Sequence, residues 1–264
     1  MASSRSSKPP MVEVWPIDMA SYDSVRAFGQ RAQKTLSRLD AVILNAGVEL
    51  YDFELAEGIE STLTINVVST LFLAYLVLPK LDETAETHSR LTNLTMVGSM
   101  VHIFGKGDQL LKAKKGEVFK KLSETAQVDM TGQYNLSKFL LTLAHRDMVA
   151  RVDKAAKGGS SRVIINDVNP GWCDTGLFRH EKAPGVAKQI MFRLMGRTGE
   201  AGGRTLTYAA SAGRETHGKY LSECKVKSES QFVRSKAGQQ VQEKLGSELK
   251  EISEGIQPGS TLQF

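Results

Sequence analysis

Residues 40–47 read Asp40-Ala-Val-Ile-Leu44-Asn45-Ala46-Gly47, a compact apolar run of strand length closed by a polar, glycine-containing turn. An apolar run without polar alternation is what a parallel strand covered on both faces presents. Before it, Ser21 to Leu39 carries helical apolar spacing (Val25, Phe28, Ala32, Leu36), with Ser21 as N-cap. After it, Gly58 to Leu81 has a long helix pattern, and Arg90 to Val97 reads as a strand running into Gly98-Ser99. Lys-rich residues 107–130 follow with weak helical period. Thr131 to Arg151 then sets Leu136, Phe139, Leu140, Leu143 and Ala144 along one helix face. Arg162 to Val168 is a further strand, ending at Asn169-Pro170-Gly171. Val12 to Ile17 reads as a short strand ahead of Asp18. Pro184 to Ala212 is helical with a glycine-rich break at Gly199 to Gly203, and the remainder is polar and mixed. Strands alternating with helices of this length build βαβ units with right-handed crossovers. The fold expected is α/β, a doubly wound parallel sheet of Rossmann-like type.

Composition narrows the function. The 264 residues, 41% hydrophobic and 24% charged, suit one soluble globular domain and exclude a disordered or fibrous chain. The expected division is a disordered leader over 1–10 (MASSRSSKPP), which has no apolar signal core, and a single domain over 11–264. Two cysteines, Cys173 and Cys224, cannot form a disulfide framework and point to a reducing, cytoplasmic setting. The five histidines are scattered, so no metal site is expected. A net charge of +5 without a basic block argues against nucleic acid. The best apolar run, Val67 to Leu78, is too short to span a membrane.

Tyr134-Asn-Leu-Ser-Lys138 carries the chemistry. Four residues apart on a helix, the phenol and the ammonium share a face. A phenol titrates near about 10, and a fixed cation beside it favours phenolate, which makes tyrosine a usable general acid and base. Alone the pair reads first as a surface i,i+4 contact. Ser99 and Asn45-Ala-Gly47 end strands, however, and Asn66 lies in the helix between them; ligand crevices of open α/β sheets lie at the carboxyl ends of strands. There the Ser99 hydroxyl can steady a developing alkoxide while Tyr134 donates the proton.

Asn45-Ala-Gly47, Asn66, Gly98-Ser99, Tyr134-x-x-x-Lys138 and Pro170-Gly171 followed by Thr175 resemble, in order and rough spacing, the short-chain dehydrogenase/reductase family. The likeness runs from about Val12 to Ala212. The long interval between Ser99 and Tyr134, with its inserted segment near 106–130, resembles the retinol-dehydrogenase-like branch. The stretches Gly203-Arg-Thr-Leu-Thr-Tyr and His217-Gly-Lys-Tyr-Leu-Ser222 resemble its fungal members, many of them tied to polyketide pathways. The resemblance implies an oxidoreductase of secondary metabolism acting on a carbonyl or alcohol of a small organic molecule, with NADP as cofactor and NAD as the alternative. It implies Tyr134 as proton donor, Ser99 as substrate-orienting hydroxyl, Lys138 as modulator of the phenol and ribose ligand, and Asn66 as fourth catalytic member. It further implies Asp18 at the adenine, Asn45 along the cofactor, and Cys173 and Thr175 at the carboxamide and pyrophosphate. Each has a purely structural alternative: Asp18 a helix cap, Ser99 a turn residue, Asn66 an inner polar group satisfied by backbone, Cys173 a small apolar filler.

One departure stands against this pattern. The family opens with a strand, a glycine-rich turn and a second βα step, and the turn brings a helix N-terminus to the pyrophosphate. No such loop precedes Val12 here. The fold expected is therefore N-terminally incomplete, lacking the first βαβ unit, with weak dinucleotide binding and a bared sheet edge. The alternative function is a non-catalytic remnant or interaction fragment of the same family.

Overall fold

The computed structural model describes residues 11–105, 107–124, 128–156, 161–173, 175–178 and 196–261. Its centre is a sheet of β1 (Ala41–Leu44), β4 (Thr92–Val97), β5 (Val163–Asn169), β6 (Tyr220–Ser222) and β7 (Lys225–Lys227), in that spatial order. The first three pairings are parallel, with Ala41 opposite Asn93, Thr92 opposite Val163 and Asp167 opposite Tyr220. β7 turns back antiparallel on β6 at Tyr220 opposite Lys227, so the sheet is mostly rather than wholly parallel. Side chains alternate across β4 and β5. Leu94, Met96, Val163 and Ile165 enter the large core, whereas Val97 and Val168 meet Ala209 and Leu221 in a smaller one on the opposite face. Helices thus flank both faces, as the alternation of elements predicts.

The large core is organised by α1 (Tyr22–Thr35), α3 (Thr70–Thr87) and α6 (Met130–Ala155), and the opposite face by α7 (Gly199–Ser211). Ser21 caps α1 as expected, its hydroxyl accepting from Ser24 N. The expected Gly58–Leu81 helix begins instead with a hairpin of β2 (Leu55–Ala56) and β3 (Ile59–Glu60). The short α2 (Ser61–Leu63) and a π-helical segment, Thr64–Ser69, then lead into α3. The run Ser61–Thr87 is apolar enough to cross a membrane, with a mean hydropathy of 1.8 over its most apolar window. That window is 94% buried inside the protein, which accounts for its composition.

Three further sequence expectations change. Val12 to Ile17 is not a strand: it lies outside the sheet, with Val12 82% and Val14 91% exposed. Pro16 supplies no ladder donor, and the segment lies against α1 instead. Trp15 packs edge-on to Phe28 at 5.7 Å and carries the Arg31 guanidinium 3.9 Å over its ring. Gly199 to Gly203 is not a break but the first turn of α7, capped by Thr198; the earlier part of the expected helix, 184–195, lies outside the described residues. The polar C-terminal stretch contains α8 (Lys236–Ile256), which buries Val241, Leu245 and Leu249 at helical spacing. α8 also fastens the inserted segment. Lys244 Nζ donates to the carbonyls of Leu110, Leu111 and Ala113 at the end of α4 (Asp108–Lys112). Glu248 accepts from Val118 N and Phe119 N at the start of α5 (Val118–Leu122).

Candidate active site

Parallel pairing brings the carboxyl ends of β1, β4 and β5 to one edge, and α6 passes beneath it. Ser99 leaves β4 in extended conformation and caps a 3-10 turn, Met100–Phe104, accepting from Val101 N at 3.3 Å. The side chain of Tyr134 comes beside the Ser99 side chain, near enough for the serine to act on the phenol. One turn later on α6, Lys138 is buried and its Nζ donates to Val97 O at 2.8 Å, with the Tyr134 ring centroid 5.6 Å away. The two hydroxyls and the ammonium therefore converge where β4 ends.

Asn66 lies in the π-helical segment, buried behind this group. Its Oδ1 accepts from Val48 N at 2.9 Å, and its Nδ2 donates to Val48 O at 2.8 Å and Ser137 Oγ at 3.0 Å. Both amide hydrogens are thus engaged with protein. Asn66 pins the 45–50 loop to α6 rather than presenting a free amide. Gly47 belongs to the same corner: a Cβ there would stand 3.1 Å from Asn66 Oδ1 and 3.8 Å from Lys138 Nζ.

The remaining candidates are held by their own segments. Asp18 Oδ1 accepts from Ala20 N at 2.9 Å, an Asx turn ahead of α1, while the N-cap itself is Ser21. Asn45 N donates to Ile43 O at 3.0 Å. Cys173 Sγ lies 3.5 Å from Pro170 O and abuts Gly202, and burial raises the thiol pKa, in keeping with an apolar filler. Thr175 Oγ1 accepts from Leu177 N at 3.4 Å.

Charge at the site follows from burial. Desolvation raises the Tyr134 phenol well above its ordinary value, the Glu49 carboxylate pushes the same way, and the neighbouring Ser99 side chain opposes both. The expected lowering by the Lys138 ammonium is not among the influences on the phenol, which burial dominates. Lys138 moves the other way, down to about 8, because burial disfavours the ammonium while the Asp167 carboxylate supports it. At neutral pH the site therefore holds a neutral phenol beside an ammonium.

A family model described as short chain dehydrogenase matches residues 2–89. The short chain dehydrogenase/reductase dmxR8 of Cryptosporiopsis sp. is 37% identical over 256 residues, covering 96% of this chain and 77% of that protein. The chain belongs to the short-chain dehydrogenase/reductase family. The short-chain dehydrogenase anuD of Penicillium roqueforti is 36% identical over 94% of this chain, which spans 65% of that relative's length. Among solved structures, the RhlG/NADP active-site complex of Pseudomonas aeruginosa superposes with a TM-score of 0.55 at 20% identity, over 79% of this chain and 74% of that one; it bears on the fold.

In this dehydrogenase/reductase several residues of the site carried no motif. His102 Nδ1 lies 2.7 Å from Ser99 O, and its Nε2 accepts from Ser230 N at 3.1 Å, so the network assigns a neutral ring with the proton on Nδ1. Burial lowers its pKa, consistent with that form. Ser137 and Glu49 likewise enter through contacts between distant segments. Asp167 had one visible signal, a carboxylate inside the apolar run 163–168.

Proposed function

We propose that this member of the family is an NADP-linked reductase of a small, mainly apolar carbonyl compound, running through Ser99, Tyr134 and Lys138. The observation that carries the reading is the meeting of the Tyr134 phenol with the Ser99 side chain, directly beside the buried Lys138 ammonium. A phenol kept protonated is in the donor form, which favours reduction over oxidation at neutral pH. Ser99 holds the substrate oxygen, Tyr134 delivers a proton to it, and Lys138 keeps positive charge behind the phenol as negative charge develops. The residues present fit the nicotinamide end of a dinucleotide: Lys138 donates a hydrogen bond to Val97 O, and side-chain-free Gly47 gives access beside it. When bound, the dinucleotide supplies the hydride; Lys138, Asn45 and Gly47 hold it, with NAD as the alternative to NADP.

The substrate class draws on the apolar surface after Ser99. Met100, Ile103 and Phe104 are exposed, and Phe104 borders a cavity of about 350 Å³ whose mixed lining joins Leu110, Val118 and Leu136 to Lys121, Asp129 and Gln133. The fungal relatives support an assignment to secondary metabolism, with polyketide-type ketones as first candidates. The test is deuterium transfer from labelled NADPH to a panel of aryl ketones by the wild type and Tyr134→Phe. Label in the alcohol product of the wild type alone is the expected result; no label in any product rejects the reading. A second reading, a non-catalytic interaction fragment, is favoured by one observation: β1 is laddered to β4 on one side and Ile43 remains 39% exposed.

A further inference from the structure

Asp167 is a carboxylate in the middle of a strand whose seven residues are all buried. Its Oδ2 accepts from Thr142 Oγ1 at 2.9 Å, and Oδ1 is buried without a hydrogen-bond partner. That bare oxygen faces the Cα of Gly98, where any Cβ would collide with it. Gly98 shares its peptide bond with Val97, whose carbonyl receives Lys138 Nζ at 2.8 Å. Thr142 closes the figure from the other side, one helical turn after Lys138, with its Oγ1 also 3.2 Å from Lys138 O. The carboxylate and the ammonium thus sit at the two sides of one peptide, in a region closed to water.

A half-satisfied buried carboxylate is costly and persists when something nearby needs its charge. We propose that Asp167 is a positioning residue of the site, a buried counter-charge behind the Val97–Gly98 peptide that keeps Lys138 in its ammonium form. This rests on the reading of Lys138 above. The groups facing Asp167 from each packed element are Lys138 and His145 on α6, Tyr220 on β6, and Glu229 in the segment before α8. His145 is itself buried and held toward its neutral form by burial. Lys138 is therefore the cation of this set that stands at the proposed chemistry. Burial raises the Asp167 pKa and lowers that of Lys138, while each supports the charged form of the other.

The experiment is NMR titration of isotope-labelled lysine side chains in wild type and Asp167→Asn, with Lys138→Met assigning the resonance. Asp167→Asn keeps the volume and an acceptor for Thr142. Lys138 should titrate near 8 in the wild type and about one pH unit lower in Asp167→Asn, with the alkaline limb of any reductase activity moving down equally. Reciprocally, Lys138→Met should raise the Asp167 carboxyl titration, an arm that decides the matter even where Asp167→Asn fails to fold. An unmoved Lys138 midpoint in a folded Asp167→Asn, or an unmoved Asp167 in Lys138→Met, overturns the proposal. A moved midpoint in a protein that reduces no ketone upholds the counter-charge and rejects the reductase reading.

Discussion

At Tyr134, burial and the Glu49 carboxylate act together, so the phenol stays protonated across the neutral range, the form the proposed proton donor needs. Tyr134→Phe keeps the ring and removes the proton; kcat for ketone reduction should fall about 10²–10⁴-fold with the melting temperature unchanged. In the proposed mechanism Lys138 sets the alkaline limit. Its folded pKa is lowered to about 8, so the ammonium is present below that value and lost as pH rises through it, and a rate profile should decline there. His102→Ala would leave Ser99 O and Ser230 N without their shared partner, at about 1–3 kcal/mol for each buried group left unpaired. Urea unfolding should show that loss, and Ser99 should lose its bracing. Tyr134, Lys138 and Ser99 were legible because helix periodicity and strand ends place them. His102 was not, since its second partner lies 128 residues away and no local pattern encodes that distance.

At the scale of elements, the join between β4 and the Ser99 turn depends on a glycine that tolerates Asp167. Gly98→Ala should displace the turn and lower both stability and activity, and Gly98→Ala combined with Asp167→Ser should recover stability beyond additivity, measured by a double-mutant cycle. The start of α6 is held from the other side. Buried Glu60 accepts from Thr62 N and Leu63 N and from Gln133 Nε2 at 2.7 Å, next to Tyr134. Glu60→Ala removes a cap and strands an amide, a loss of about 2–4 kcal/mol by thermal or urea unfolding. The central strands and α6 were legible from apolar runs and helical spacing. α8 was missed because its apolar positions are diluted by Lys, Glu and Gln, although Val241, Leu245 and Leu249 recur every fourth residue. Val12 to Ile17 failed in the opposite way: its composition suits a strand, and pairing, which composition cannot report, is missing.

For the whole molecule, the sheet grades from a buried centre at β4 and β5 to an edge at β1, where Ile43 is exposed; Val12 and Val14 also stand in solvent. An apolar edge with open backbone groups favours self-association. Ile43→Lys should reduce the apparent size in dynamic light scattering without lowering the melting temperature. The large core, by contrast, joins α1, α3, α6 and α8 into one body under the candidate site, so that corner should remain ordered whatever happens at the edge. The central claim is that this corner is a nicotinamide site built on Lys138. Isothermal titration of the purified chain with NADPH and NADH, wild type against Lys138→Met, tests it most directly. Saturable binding by the wild type, weakened about tenfold or more in the variant, a loss of about 1.4 kcal/mol, is the result predicted. Absence of saturable binding by either nucleotide, or binding that Lys138→Met leaves unchanged, would contradict it.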